Sequence, residues 1–344
     1  MPMTEADLKK HLKSEEIKHA YLLYGDEPYL TLFYTNKLIE KLCGKDPDEF
    51  GLQYFDGQNA EVSEIFGALE ILPFGTDRKV VCVRELDIGK ADDKTLKYWE
   101  EFLSDLPETG VLIVRLTSVK IDKRTTNLKT FISLFEEYGI AVQFPQQEEK
   151  DCVRLLVAGA KKRGNDLPSS VAEVLVERCG TDLYRLVNEL DKLCAVAGDG
   201  PITKDMVQTS TVESLEARVF DLSKMIMQSN ASRAFSILQT LKGDKEKPVA
   251  VLAVLSNAYA DLYRVKVAKD SGVAPESLAQ SFNYKRREFV LQNAARDVAR
   301  MSIASLRESL EALAKADIAM KSSSVDSWLI LDETVTNLLA IRRG

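Results

Sequence analysis

The sequence is poor in the residues from which most catalytic and metal sites are built. Its 344 residues include two histidines, and its five cysteines contain no Cys-x-x-Cys pair. This scarcity argues against a zinc site and leaves few groups for histidine-dependent acid–base or nucleophilic catalysis. The cysteines are expected to be reduced thiols, most of them buried. We predict no catalytic residue, no bound cofactor and no metal ligand.

Long apolar runs are also missing. None approaches the roughly 20 residues that a membrane-spanning helix needs, and the N-terminus lacks the basic start and apolar centre of a signal peptide. We therefore expect a cytoplasmic protein with no membrane partner. The net charge of −7 argues against tight, salt-driven DNA binding by the isolated chain. It leaves open a DNA contact through one local basic face inside a larger assembly.

The stretch Tyr21–Pro28 lacks the residues of a phosphate loop although it stands where such a loop belongs. A short apolar strand runs into Gly25 and then into a predicted helix, the junction at which nucleotide-binding folds hold phosphate. The pattern G-x-x-x-x-G-K-[ST] needs a second glycine and a lysine, and both are absent here. Asp26 and Glu27 stand there instead. They favour a simple strand-to-helix turn with acids at the positive helix start, and a divergent nucleotide site is the alternative.

Strands and helices alternate as far as Phe144, which predicts a parallel α/β sheet. Beyond Pro145 the strand signals largely vanish and helical periodicity takes over. The fold class predicted is therefore α/β plus all-α, in three domains. The predicted domains are an α/β domain at 1–144, a small helical domain at 145–212 and a helical bundle at 213–344.

One predicted helix ends in a conspicuous apolar tip. Its apolar face follows the helical spacing i, i+3, i+4 and i+7. Pro73 stops the helix, because proline lacks an N–H and disfavours helical backbone just before it. The tip reads Leu72, Pro73 and Phe74. Spacing alone allows two interpretations of it, a buried helix end or an exposed contact. The apolar face consists of Val62, Ile65, Phe66 and Leu69.

Five segments, in order along nearly the whole chain, resemble the delta subunit family of the bacterial DNA polymerase III clamp loader. This resemblance implies an AAA+-like N-terminal domain without a functional phosphate loop, followed by a lid and an oligomerisation collar. The motor and delta-prime subunits usually carry a four-cysteine zinc module, which this sequence does not offer. The segments are Tyr21–Leu30, Leu72–Val81, Asp122–Arg124, Gly180–Leu193 and Ala316–Lys321.

The resemblance also implies a function. Members of this family grip and open the ring-shaped sliding clamp for loading onto primed DNA, without hydrolysing ATP themselves. Their partners are the clamp (beta), the ATP-hydrolysing gamma/tau subunits, delta-prime and, within the assembled complex, primed DNA. The clamp-binding element of the family corresponds here to Leu72, Pro73 and Phe74. Any polymerase (nucleotidyltransferase) activity would belong to the holoenzyme. Two alternatives stay open: an ATP-hydrolysing clamp-loader subunit and a DNA-binding helical adaptor.

Two basic sets leave further contacts open. One follows the fourth predicted strand and lacks the Ser-Arg-Cys motif of an arginine finger, so it is interpreted as a solvated face or a subunit contact. The other, in the last third of the chain, is either a solvated helix face or a contact with a subunit or DNA phosphates. The first set is Lys120, Lys123, Arg124 and Lys129; the second is Lys285, Arg286, Arg287, Arg296 and Arg300.

Overall fold

The structure is a computed structural model of the 344-residue chain. It describes all residues except 1–2, 46, 49, 74–76, 118–125, 275–276, 283, 285–287, 299–300 and 344. The chain forms two compact units, Met1–Gln147 and Glu148–Gly344. The three-domain division stays a prediction, including the boundary between 212 and 213 inside the second unit.

The first unit alternates strands with helices. The helical spacing of Leu30, Phe33, Leu38 and Leu42 predicts a helix over 28–43, and a helix spans Pro28–Cys43. The strands are β1 (Ala20–Tyr24), β2 (Leu52–Asp56), β3 (Lys79–Arg84), β4 (Gly110–Leu116) and β5 (Ile140–Gln143); the helices are α1 (Glu5–Lys13), α2 (Pro28–Cys43), α3 (Val62–Glu70), α4 (Asp93–Ser104) and α5 (Thr126–Tyr138), with a 3-10 turn at Ile88–Lys90.

All five strands are parallel and lie in the order β2-β3-β4-β1-β5. Tyr21 of β1 aligns with Ile113 of β4 on one side and with Ile140 of β5 on the other. Because every strand runs the same way, the sheet has one edge of carboxyl ends and one of amino ends. The α/β class predicted from the alternation is confirmed.

Helices cover both faces of the sheet, as the apolar strands require. On one face, α3, α4 and α5 share a core with alternate strand residues such as Leu22, Val81 and Leu112. Trp99 of α4 is fully buried at the centre of that core. On the opposite face, α2 contacts β1, β3 and β4. Each of these helices connects the carboxyl edge to the amino edge, and this geometry fixes where each loop lies.

The described residues of the second unit form helices joined by turns, with no strand among them, which confirms the all-α part of the predicted fold class. The residue type of Asp182, after the break at Gly180 and Thr181, predicts an N-cap; Asp182 caps α8, and its carboxylate accepts a hydrogen bond from the Arg185 amide at 2.8 Å. The helices are α6 (Glu149–Lys162), α7 (Ser169–Cys179), α8 (Leu183–Ala197), α9 (Lys204–Ser210), α10 (Leu215–Met227), α11 (Ala231–Gly243), α12 (Pro248–Asp270), α13 (Leu278–Ser281), α14 (Glu288–Asp297), α15 (Ile303–Ser322) and α16 (Ser327–Arg343).

No helix within the described ranges has both the length and the apolar character needed to cross a membrane.

Candidate functional site

The loop after β1 lies at the carboxyl edge and packs tightly against the end of β5. Gly25 has φ +143, and a Cβ added to it would lie 2.0 Å from the backbone oxygen of Phe144. The amide of Phe144 in turn donates to the carbonyl of Tyr24 at 2.7 Å. Only glycine fits this approach of two backbones. The space above β1 is therefore occupied by the chain itself.

Three consecutive positions at this loop offer no free amide that could cradle a phosphate. Glu27 donates its N–H to the Phe144 carbonyl at 3.1 Å, and Pro28, the first residue of α2, has no N–H. The Tyr29 amide donates to the Glu27 carboxylate at 3.3 Å. That carboxylate, only 5% exposed, takes the place at the helix start where a phosphate would bind. The interpretation of Glu27 as a helix-start acid is confirmed, whereas Asp26 is simply exposed.

A second carboxylate at the same edge is engaged in structure. Glu85, just after β3, has φ 57, a left-handed conformation that is strained for a residue with a side chain. Its carboxylate accepts hydrogen bonds from the amide of Thr117, at 3.1 Å, and from the Thr117 hydroxyl. These bonds tie the end of β3 to the end of β4. The carboxyl edge is thus held together by contacts among its own residues.

The apolar tip lies at the opposite, amino edge, where the chain passes from α3 into β3. Leu72 is 78% exposed and its neighbour Ile71 is 59% exposed. Pro73 is half-buried, and Phe74 lies outside the described residues. Leu72 at least is not part of a buried helix end, so the first of the two interpretations is wrong for this residue. Whether these residues bind a clamp stays a prediction.

Helix geometry explains why Leu72 is exposed although it continues an apolar pattern. Leu69 is buried on the core face of α3, and a residue three positions later would follow it into the core if the helix continued. The helix ends at Glu70, and Ile71 is already extended with φ −69 and ψ 121. Since a proline follows Leu72, extended backbone is expected there. The chain turns away from the core and carries its side chains outward.

Sequence reasoning did not select Ile71. Ile71 does not continue the apolar spacing of α3, and a single isoleucine beside Glu70 forms no motif. Its signal was its position, one residue past the last residue of the helix and adjacent to an exposed leucine. Two consecutive exposed aliphatic side chains in an otherwise ordinary surface are more informative than one.

The basic sets fall largely on residues that are not described. Of the first set, Lys120, Lys123 and Arg124 lie outside the described residues, and Lys129 is exposed on α5. Of the second, only Arg296 is described, and it is exposed on α14. Their proposed contacts stay predictions.

Tyr284, which precedes Lys285 of the second basic set, is held in place by hydrogen bonds. Tyr284 is buried, and its hydroxyl donates to the carboxylate of Asp261 on α12. Arg264 donates to both, to the Tyr284 hydroxyl at 2.7 Å and to Asp261 at 3.1 Å. Its guanidinium also lies 4.8 Å from the centre of the Phe282 ring, which is half exposed. Burial raises the pKa of Tyr284 to about 12, so the hydroxyl stays protonated and keeps donating.

The prediction that the cysteines are reduced thiols, most of them buried, agrees with the structure for three of the five. All five are free thiols, and Cys82, Cys152 and Cys179 are buried. The positions of Cys179 and Cys194 on two predicted helices of the small helical domain predict that both pack in its core, but Cys194 is only half-buried. Burial raises the pKa of Cys82 to about 11, which makes it a poor nucleophile. Among the described residues no group of three or more histidine, cysteine or acidic side chains could hold a metal ion.

Comparison with known families decides the assignment. The profile for "DNA polymerase III, delta subunit" matches residues 21–137, and that for "DNA polymerase III delta subunit, C-terminal domain" matches residues 216–338. The chain belongs to the DNA polymerase III delta subunit family. Both units thus carry a match to the delta family, in the expected order.

Individual relatives of the delta family match nearly end to end. The Bacillus subtilis DNA polymerase III subunit delta is 24% identical over 340 residues, covering 97% of this chain and 96% of that protein. The Escherichia coli DNA polymerase III subunit delta is 23% identical over 327 residues, covering 93% and 91%. The solved structure of the Bacillus subtilis DNA clamp loader delta protein superposes with a TM-score of 0.65, at 24% identity over 97% of this chain and 99% of that one. This likeness supports the fold.

Proposed function

We propose that this chain is the subunit that binds and opens the sliding clamp in a bacterial clamp loader, and that it hydrolyses no ATP itself. One observation carries the proposal: Leu72 is 78% exposed at the end of α3, in the position of the family's clamp-binding element. An exposed leucine followed by Pro73 and Phe74 suits a partner with a hydrophobic pocket. We take Leu72, Pro73 and Phe74 as the clamp-binding residues.

The energy of this contact comes from apolar burial. Burying one large apolar side chain in a partner pocket stabilises a complex by about 1.5–3 kcal/mol. Since Leu72 extends beyond the last turn of α3, it can enter a pocket without disturbing the core of the first unit. The fold therefore serves as a rigid support for a small protruding contact.

We attribute clamp opening to a difference between the affinities of this chain for the open and the closed ring. A clamp that exists as closed and open rings is shifted toward the open form only to the extent that the delta subunit binds that form more tightly. The subunit needs no chemical step for this, only a surface that fits the open ring better. ATP binding by neighbouring motor subunits would control when that surface is accessible, and hydrolysis on primed DNA would release the ring.

The loop after β1 supports the absence of ATP hydrolysis. It lacks the lysine that reaches the β- and γ-phosphates, and its glycine is packed against Phe144. Glu27 adds a carboxylate at the helix start, which repels an anion. An ATP-hydrolysing clamp-loader subunit needs the opposite arrangement in each respect.

The proposed partners follow from this role. They are the sliding clamp, the ATP-hydrolysing gamma/tau subunits, delta-prime and primed DNA within the assembled complex. We propose a cytoplasmic location at the replisome. The second alternative, a DNA-binding helical adaptor, predicts steeply salt-dependent DNA binding by the purified chain. The net charge of −7 gives it little support.

A pull-down of the cognate sliding clamp, run beside an ATPase assay, tests the proposal. Wild type should retain the clamp, Phe74→Ala should lose most of it, and neither should turn over ATP. Leu329→Ala is the matched control, because Leu329 is 60% exposed in the second unit. Failure of the wild-type chain to retain the clamp, or ATP turnover above background, would contradict the proposed function.

A further inference from the structure

A groove of about 310 Å³ opens between α3 and α4 in the first unit. Its floor is aromatic. The rings of Phe66 and Phe102 stack with centroids 3.5 Å apart, and the Tyr98 ring lies 5.1 Å from Phe66. Phe66 is buried in the core, whereas Tyr98 is 43% exposed. The groove therefore presents aromatic surface that the fold itself does not cover.

The rim of this groove is acidic. Glu70 ends α3, Glu101 lies in the last turn of α4, and Asp105 follows it. All three side chains are exposed, and the residues that line the groove include no lysine or arginine. The carbonyl ends of α3 and α4 lie at the same place, and helix carboxyl ends carry partial negative charge. Acids and helix ends thus make the rim of the groove negatively charged, with no cation among its lining residues.

These features together favour a cationic side chain as the occupant. An arginine or lysine placed over an aromatic ring gains a cation–π attraction, and arginine also stacks flat on such rings. Carboxylates at the rim can pair with the same cation. An apolar occupant would leave the three acids without a partner, and an anion would be repelled.

The position of the groove points to which partner supplies that cation. Both α3 and α4 bring the chain back to the amino edge of the parallel sheet, so the groove opens at the edge where Leu72 protrudes. Glu70, on its rim, is two residues before Leu72. A partner that covers Leu72 will therefore also lie over the end of this groove.

We propose that the groove is a second contact for the sliding clamp, and that it holds an arginine or lysine side chain that the clamp presents beside the pocket for Leu72. This inference rests on the proposed function of the tip. A short apolar tip such as Leu72–Phe74 fixes one small area of contact, which does little to restrain rotation of the clamp about it. A second, charged contact fixes the orientation of the clamp, and charged contacts of this kind act on orientation and association rate more than on affinity.

Two substitutions test the groove, each with a matched comparison. Gly67 lines it within α3, and a Cβ added there meets nothing within 4 Å, so Gly67→Leu fills the groove without a clash and with a better helix former. Glu101→Gln removes one rim charge. Its control is Glu100→Gln, the exposed neighbour on α4 that does not line the groove. Clamp affinity and association rate are measured by surface plasmon resonance at two salt concentrations.

The expected effects are ordered. Gly67→Leu should weaken clamp binding at least about fivefold, and Glu101→Gln about threefold with a reduced salt dependence of the association rate, typical of exposed ion pairs and cation–π contacts. Glu100→Gln should bind like wild type. Thermal unfolding should be unchanged for the two glutamate variants and unchanged or raised for Gly67→Leu. If Gly67→Leu fails to fold, the pair of glutamate variants still decides the question.

The outcomes separate this inference from the proposed function. If wild type does not bind the clamp, both fail. If wild type binds and Leu72→Ala does not, but Gly67→Leu and Glu101→Gln bind like wild type, the groove contact is wrong while the function of the tip stands. Equal losses for Glu101→Gln and Glu100→Gln would reduce the effect to general charge and overturn the groove contact. A loss in Gly67→Leu alone would overturn the cationic occupant.

Discussion

The carboxyl and amino edges of the parallel sheet differ in how their loops are packed. At the carboxyl edge, the turn Gly25–Glu27 uses its own amides and a buried carboxylate to close against Phe144. At the amino edge, the end of α3 leaves Ile71 and Leu72 exposed to solvent. The described turn after β1 pairs amides and a carboxylate within the fold, whereas the described end of α3 leaves two aliphatic side chains uncovered.

We propose that this difference marks where a partner binds. Stability alone favours buried apolar side chains and satisfied backbone groups. The turn Gly25–Glu27 packs against Phe144, and the amide and carboxylate of Glu27 have hydrogen-bond partners within the fold. Leu72 does not meet the first condition, because its side chain is exposed. Its described surroundings also show no structural reason for a leucine at this position. The unmet burial at the amino edge is therefore what a clamp could supply.

The largest expected effect comes from breaking the closed edge at Gly25. Gly25→Ala forces a Cβ toward the Phe144 oxygen and places alanine at φ +143. Strain and overpacking together should lower the free energy of unfolding of the first unit by about 3 kcal/mol or more. Denaturant unfolding of the full chain followed by Trp99 fluorescence measures this, in a Trp328→Phe background that leaves one tryptophan.

Gly67→Ala is the matched control. Its added Cβ has open space and helical backbone, so this variant should be as stable as wild type or more stable by up to about 1 kcal/mol. Equal stability of the two variants would show that the loop after β1 is not closed against Phe144.

At the amino edge, Leu72→Ala should weaken clamp binding. Losing the burial of one leucine in a partner pocket costs about 1.5–3 kcal/mol, so the Kd for the clamp should rise about tenfold to a hundredfold. Unfolding of the chain alone should be unchanged, since Leu72 is exposed. Leu329→Ala, an equally conservative change at an exposed leucine, should leave the Kd as it is. A wild-type Kd for Leu72→Ala would remove Leu72 from the interface.

A smaller effect is expected at the helix start. Glu27→Ala removes the carboxylate that accepts from the Tyr29 amide and should lower the free energy of unfolding by about 1–2 kcal/mol, as loss of an N-cap does. Asp26→Ala, its exposed neighbour, should change it by less than about 0.5 kcal/mol. Neither variant should bind ATP, because Pro28 still lacks an N–H. ATP binding by Glu27→Ala, detected calorimetrically, would mean that the carboxylate alone kept nucleotide out.

The smallest expected effect is a dependence of the unfolding free energy on pH, caused by His11, which clamp binding should not share. Burial, with a contribution from the charge of Lys41, lowers the pKa of His11, whose ring is 2.9 Å from the Tyr21 hydroxyl. Because the folded state favours neutral His11, this contribution to stability is present above the unfolded pKa of about 6.5 and is lost as the pH falls below it.

The measurement is the unfolding free energy between pH 7.5 and 5.5, for wild type and His11→Gln. Wild type should lose stability toward pH 5.5 more steeply than His11→Gln. The ratio of clamp Kd values for Leu72→Ala and wild type should not change over this range, because the contact is apolar. Equal slopes for the two chains would remove His11 as the cause.

Local signals predicted most of the fold. The bounds of α2 follow from Pro28, which suits a first helical position, and from Gly44, which follows the last. The parallel sheet follows from apolar strands alternating with amphipathic helices. Asp182 shows that a cap can be identified from its residue type and the apolar pattern after it.

What could not be predicted depends on residues far apart in sequence. The approach of Gly25 to Phe144 joins the ends of β1 and β5, and no local pattern contains it. The stacking of Phe66 on Phe102, and hence the groove, also depends on how two helices pack. The exposure of Leu72 required knowing that α3 ends at Glu70. Sequence spacing therefore indicated the tip, while its accessibility depended on the fold.

We expect the turn after β1 to bind no nucleotide and the tip at Leu72 to bind the clamp unaided. Isothermal titration of the isolated wild-type chain with the clamp, in the presence and absence of Mg-ATP, tests this expectation most directly. We predict no heat of ATP binding and the same clamp Kd with and without ATP. A measurable ATP affinity together with a clamp Kd that depends on ATP would show instead that nucleotide binds this chain and controls its contact with the clamp.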